Sequence, residues 1–89
     1  MLDEELIKRV LREDYRLVRY ETDIKFEKEE LVALKDILNS EYKVLKGSIK
    51  YEDNKYKGFV VAPIDELLDL IDFLKENKFS VSVEKVTDL

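Results

Sequence analysis

Lys57, Gly58 and Phe59 place a cation, a residue without a side chain and an aromatic ring in consecutive positions. On an exposed strand such a trio can stack its ring on a nucleobase and bring an ammonium near a phosphate. Lys46, Lys50 and Lys55 lie within a few residues of it. A second group is the pair Glu21 and Asp23, flanked by Arg19 and Lys25. Two carboxylates on one strand face could hold a divalent cation or shift each other's pKa. A third group, Asp65, Asp69, Asp72 and Glu76, recurs at helical spacing. It would line one side of a helix with negative charge and could dock a basic partner.

Each group has a plainer explanation. Residues 57–59 resemble the opening of the RNP1 strand of RNA-recognition domains. That motif continues with a small residue, a second aromatic and an apolar residue, where this chain has Val60, Val61 and Ala62. The neighbouring strand should present another outward aromatic, yet its outward positions hold Arg19, Glu21, Asp23 and Lys25. The favoured reading is that Phe59 and Val61 form an apolar patch covered by protein, with Gly58 relieving crowding opposite Ile49. Glu21 and Asp23 are read as neutralised by their basic neighbours, because structural ion pairs imitate sites.

Composition removes further chemistry. The chain has 89 residues, 45% hydrophobic and 42% charged, with a net charge of −5. It contains no Cys and no His, so disulfides, thiolate metal sites and imidazole bases are all excluded. No catalytic residue, cofactor or metal site is assigned. Abundant Lys and Glu with no Cys or Gln fit a thermophilic source. The opening MLDEELIKRV is charged from its third residue, unlike a signal or transit peptide. The apolar runs are too short to span a bilayer. The expectation is one cytoplasmic domain over 1–89, with an N-terminal helix over 1–14 and a core over 15–89.

Periodicity supplies the elements that must carry these residues. Residues 2–13 read as an amphipathic helix with a Leu2, Leu6, Ile7, Val10, Leu11 stripe and an Asp3 cap. Residues 16–26 alternate, with Val18, Tyr20, Thr22, Ile24 and Phe26 on one side. Residues 27–39 form a second helix that ends at Asn39 in the left-handed conformation. Residues 42–52 and 55–62 form a hairpin with Asp53-Asn54 as its two-residue turn. This register sets Glu52 against Lys55 as a cross-strand ion pair, and Ile49 against Gly58. Pro63 closes the strand and starts a helix over 64–76, whose apolar face includes Leu67, Leu68, Leu70 and Leu74. Residues 79–86 make the last strand.

The order helix, then β-α-β-β-α-β, predicts an α+β fold of the ferredoxin-like type. Right-handed crossovers would give an antiparallel sheet in order 4-1-3-2 with two helices on one face. Signatures of several such families are missing: the Cys-x-x-Cys of metal transporters, the Gly-rich anion loop of acylphosphatases and the glycine turns of ACT-type regulatory domains. In size and split pattern the chain looks similar to the small nuclease of CRISPR adaptation. That family ends its first strand in a metal-binding Asp, for which Asp23 is the nearest candidate. Ile24-Lys25-Phe26 continues the strand beyond it, and no family is assigned.

The open sheet face then collects Arg19, Lys25, Lys46, Lys50, Lys55 and Lys57 against Glu21, Asp23, Glu52 and Glu84. Both core helices are acidic, so the two faces differ in sign. The expected function is a non-enzymatic interaction module that binds protein, first of all itself as a homodimer. Its surface comprises Val44, Lys46, Lys50, Lys57, Phe59, Val61, Arg19 and Lys25, together with the N-terminal helix. Two alternatives stand beside it. One is nucleic-acid binding by Phe59 with Lys46, Lys50 and Lys57. The other is an acidic inhibitor or nucleic-acid mimic of viral or plasmid origin, docking through Asp65, Asp69, Asp72 and Glu76. No membrane partner is expected.

Overall fold

The computed structural model describes residues 3–87. It is an α+β fold with a four-stranded antiparallel sheet and three α-helices. The elements run α1 (Glu4–Asp14), β1 (Tyr15–Thr22), α2 (Lys28–Ser40), β2 (Lys46–Glu52), β3 (Lys55–Pro63), a single 3-10 turn (Ile64–Glu66), α3 (Leu67–Glu76) and β4 (Ser80–Lys85). The strand order is β2-β3-β1-β4. No helix among the described residues is long and apolar enough to cross a membrane.

The hairpin follows its turn chemistry. Asp53 and Asn54 have φ of 56° and 63°, the pair of left-handed residues that matches the twist of two antiparallel strands. Glu52 then faces Lys55, Tyr51 faces Tyr56 and Ile49 faces Gly58, the register expected from the sequence.

β1 is shorter than its alternation predicts. It ends at Thr22, which pairs with Tyr56, and β3 has only Lys55 before its turn, so residues beyond 22 have little strand to pair with. The Thr22 hydroxyl accepts a hydrogen bond from the Ile24 amide at 3.2 Å, a local turn that competes with the ladder. Phe26 continues the apolar alternation by a different route. It stacks on Phe79 and packs against Tyr56, at centroid distances of 5.7 and 5.4 Å.

The helix ends also differ from expectation in part. Asp3 caps α1, its carboxylate accepting from the Glu5 amide at 3.1 Å. α2 runs through Asn39 to Ser40 and is capped by Glu41 with φ −96°, so no left-handed residue ends it. At the end of α3 the left-handed residue is Lys78, φ 70°, one position after Asn77. The Lys78 amide donates to the Lys75 carbonyl and the Phe79 amide to the Leu74 carbonyl, both at 3.0 Å. These are the two bonds of a Schellman motif. The Asn77 side-chain Nδ2 adds a third bond, donating to the Phe73 carbonyl at 2.8 Å.

One face of the sheet carries the core. Val18, Tyr20, Val60 and Ala62 meet Leu34 and Leu38 of α2, Leu70 and Leu74 of α3, and Phe79. α2 and α3 therefore lie on the same side. Leu70 and Leu74 are fully buried, each contributing roughly 1.5–3 kcal/mol. Leu68, placed in the apolar face by spacing alone, is 78% exposed. The 3-10 turn over Ile64–Glu66 delays the start of α3 to Leu67.

Candidate interaction surfaces

Strand alternation turns Leu17 and Arg19 of β1, Lys46 and Lys50 of β2, Phe59 and Val61 of β3, and Glu84 of β4 away from the core helices. On this open face lies a hollow of about 310 Å³. Its apolar floor is Leu17, Phe59, Val61 and Val86, and its rim includes Arg19, Lys46, Glu84 and Lys85. Val61 and Val86 are 2% and 7% exposed, while Leu17 and Phe59 are half-buried. Val86 and Lys85 were not singled out in the sequence. Val86 follows Lys85, the last paired residue of β4, whose partner Arg16 belongs to the core-side alternation of β1.

Two residues expected on this surface lie elsewhere. Val44 precedes β2 and packs against the core cluster. Lys25 is exposed in the segment after β1, off the sheet. Asp23 lies in the same segment, so strand geometry does not align it with Glu21. Among the described residues, no group of three or more His, Cys, Asp or Glu is placed to hold a metal ion.

The cations of the open face are largely engaged in ion pairs. Arg19 Nε lies 3.3 Å from Glu84 Oε1, and Lys50 Nζ 2.9 Å from Glu52 Oε2. Lys55 Nζ lies 3.9 Å from Glu21 Oε1, and Lys57 Nζ 3.7 Å from Asp53 Oδ2. Glu52 thus turns along its own strand to Lys50 and not across to Lys55, although the register is the expected one. The hydrogen bond from Lys50, reinforced by its charge, holds the Glu52 carboxyl below its usual pKa and raises that of Lys50. Both groups are solvated, so the pair adds little stability. Its effect is to lower the free positive charge of the face.

The acidic residues gather at a groove between the end of α2 and α3. Asp69, Asp72 and Glu76 are joined there by Glu41 and Glu66, around the rings of Tyr42 and Phe73. The ring centroids are 5.7 Å apart, and the Tyr42 hydroxyl donates to the Asp69 carbonyl at 3.4 Å. Burial, and then the charges of Asp69, Glu41, Glu66 and Glu76, raise the Tyr42 pKa. Asp65, on the 3-10 turn, does not line this groove. Glu41 and Glu66 are 25 positions apart in sequence, and only the packing of the α2 cap near α3 unites them.

α1 is, like β2 and β4, an element without a buried residue. It passes into β1 with no intervening residue, Tyr15 being already extended at φ −119° and ψ 158°. None of its residues is buried. The side bearing Lys8, Leu11 and Arg12 is half-buried, whereas Leu6, Ile7 and Val10 are 41%, 39% and 44% exposed. The helix therefore presents most of its apolar stripe to the outside. Leu2, the first residue of the expected stripe, lies outside the described residues.

No protein-family model matches the sequence, and comparison with curated proteins gave no match.

Proposed function

We propose that this chain is a small ferredoxin-like module, without catalytic activity of its own, that self-associates through α1 and the open sheet face. The finer fold assignment is supported by the strand order, which reads 4-1-3-2 from the β4 edge. The βαββαβ succession after α1 and the shared core of α2 and α3 support it as well.

The carrying observation for function is the outward stripe Leu6, Ile7, Val10. An isolated helix of 11 residues is marginal in water, and helices in proteins are held mainly by burying an amphipathic face. This one buries no residue within its own chain, so its stability calls for a partner. A second copy is the commonest partner for such a surface. The ion pairs on the open face favour protein over nucleic acid, because phosphate binding draws on unpaired cations. A cytoplasmic location belongs to the same reading.

Size-exclusion chromatography with light scattering tests it. The wild-type chain is expected to run as a dimer at micromolar concentration, and Val10→Asp as a monomer with an unchanged sheet signal in circular dichroism. A wild-type monomer would sink the reading. Salt-sensitive binding of single-stranded RNA, lost in Phe59→Ala, would replace it with the nucleic-acid alternative.

A further inference from the structure

We infer that two copies exchange their N-terminal helices, α1 of each lying in the open-face hollow of the other. This rests on the self-association reading and specifies which surfaces meet. Two surfaces are left incompletely covered: the stripe Leu6, Ile7, Val10 and, in the hollow, the half-buried Leu17 and Phe59 beside the buried Val61 and Val86. Within one chain they do not meet, since the half-buried side of α1 carries Lys8, Leu11 and Arg12. The helix runs into β1 without a linker, so it has no slack with which to roll its stripe onto its own sheet.

Charge selects helix on sheet over helix on helix. At 3.6 residues per turn, Asp3 and Asp14 fall in line with the stripe at its two ends, and Glu4 and Glu13 fall beside it. Lys8 and Arg12 fall on the far side, and Arg9 is the one base near the seam. The border of the stripe is therefore net acidic. Pairing two such borders would oppose like charges. On the open face the hollow carries Arg19 and Lys46 against Glu84, and Arg19 is already bound to Glu84. Lys46 remains as net positive charge facing the acids of the incoming helix, the complementarity that fixes partner and register. The arrangement is two-fold and closes on itself, so each contact occurs twice. That doubling matters, because one helix ~16 Å long would by itself bury little of the ~1,200 Å² typical of stable interfaces.

The chain contains no cysteine, so single introduced cysteines report contacts cleanly. Light scattering on the wild-type chain comes first, and a monomer overturns both this inference and the reading beneath it. Given a dimer, V10C and F59C proteins are mixed, allowed to exchange subunits and mildly oxidised. The expected product is a covalent heterodimer in large excess over either homodimer. If V10C links only to itself, the helices pair with each other and exchange is overturned while self-association stands. A V10C/F59C double variant that closes within one chain overturns it too. Because Phe59 is half-buried and its loss could disturb the sheet, K46C on the exposed β2 rim repeats the cross. A dimeric wild type with no heterodimer from either mixture also rejects exchange.

Discussion

Tyr20 lies across Gly58 on the core face of the sheet, directly opposite it in the β1–β3 ladder. A Cβ placed on Gly58 would come within 2.5 Å of the Tyr20 Cζ and 2.7 Å of its hydroxyl oxygen. The ring cannot swing aside freely. It is 3% exposed and meets Phe79 edge-on at 5.1 Å. The glycine of the Lys57-Gly58-Phe59 trio thus belongs to the core face, where a neighbouring strand's aromatic fills its missing side chain.

Gly58→Ala is expected to destabilise the fold by about 1–3 kcal/mol, the usual cost of overpacking a well-filled core. Urea denaturation measures it. Combining the change with Tyr20→Leu should recover part of the loss, as contacting residues are non-additive. An alanine variant with the wild-type midpoint would mean that the ring is not pinned.

Tyr20 also predicts a loss of stability in alkali. Burial pushes its pKa up to about 12 from an ordinary value near 10. Below pH 10 the phenol is neutral in both folded and unfolded chains, and its contribution is fully present. Between pH ~10 and ~12 the unfolded chain releases the proton while the folded chain keeps it, so stability falls as pH rises. The loss amounts to roughly 2–3 kcal/mol. Thermal melts of wild type and Tyr20→Phe should diverge across this window. Parallel curves would assign alkaline unfolding to other groups.

The hairpin register was legible from Asp53-Asn54 because a two-residue turn with positive φ leaves a single pairing once both strands are in view. The core pattern of Val18, Tyr20, Val60 and Ala62 was legible for a similar reason, since strand alternation fixes facing. The end of β1 was not. The alternation of Thr22, Ile24 and Phe26 continues in the sequence, but a strand lasts only as long as its neighbour, and that limit is set at Lys55. The acidic groove was half legible: Asp69, Asp72 and Glu76 follow helical spacing, while Glu41 and Glu66 depend on how two helices pack. The role of Gly58 was read from its cross-strand partner Ile49, yet the contact that requires glycine comes from Tyr20 on the other flank of β3.

Two of the three non-glycine residues in the left-handed region among the described residues offer gains in stability. Asn54 and Lys78 have φ of 63° and 70°. For a lysine this conformation costs roughly 1 kcal/mol, and glycine adopts it freely. Lys78→Gly at the Schellman position is expected to raise the denaturation midpoint by that order, whereas Lys78→Val should lower it. Asn54→Gly should gain less, as asparagine already tolerates this region. A Lys78→Gly variant less stable than wild type would contradict the assigned cap.

Helix α3 supplies the sharpest contrast between sequence spacing and packing. Leu68 and Leu70 both belong to the apolar face by composition, but one is 78% exposed and the other fully buried. Leu70→Ala removes methyl groups between the sheet and α3 and should cost about 2–5 kcal/mol, a large fraction of the stability of a domain this size. Leu68→Ala should fall within about 0.5 kcal/mol of wild type, as exposed substitutions usually do. If the chain dimerises through α1 and the open face, Leu68→Ala should also leave the dimer intact, because α3 lies on the opposite side of the sheet. Dissociation of the dimer by Leu68→Ala would move the interface to α3 and away from Phe59.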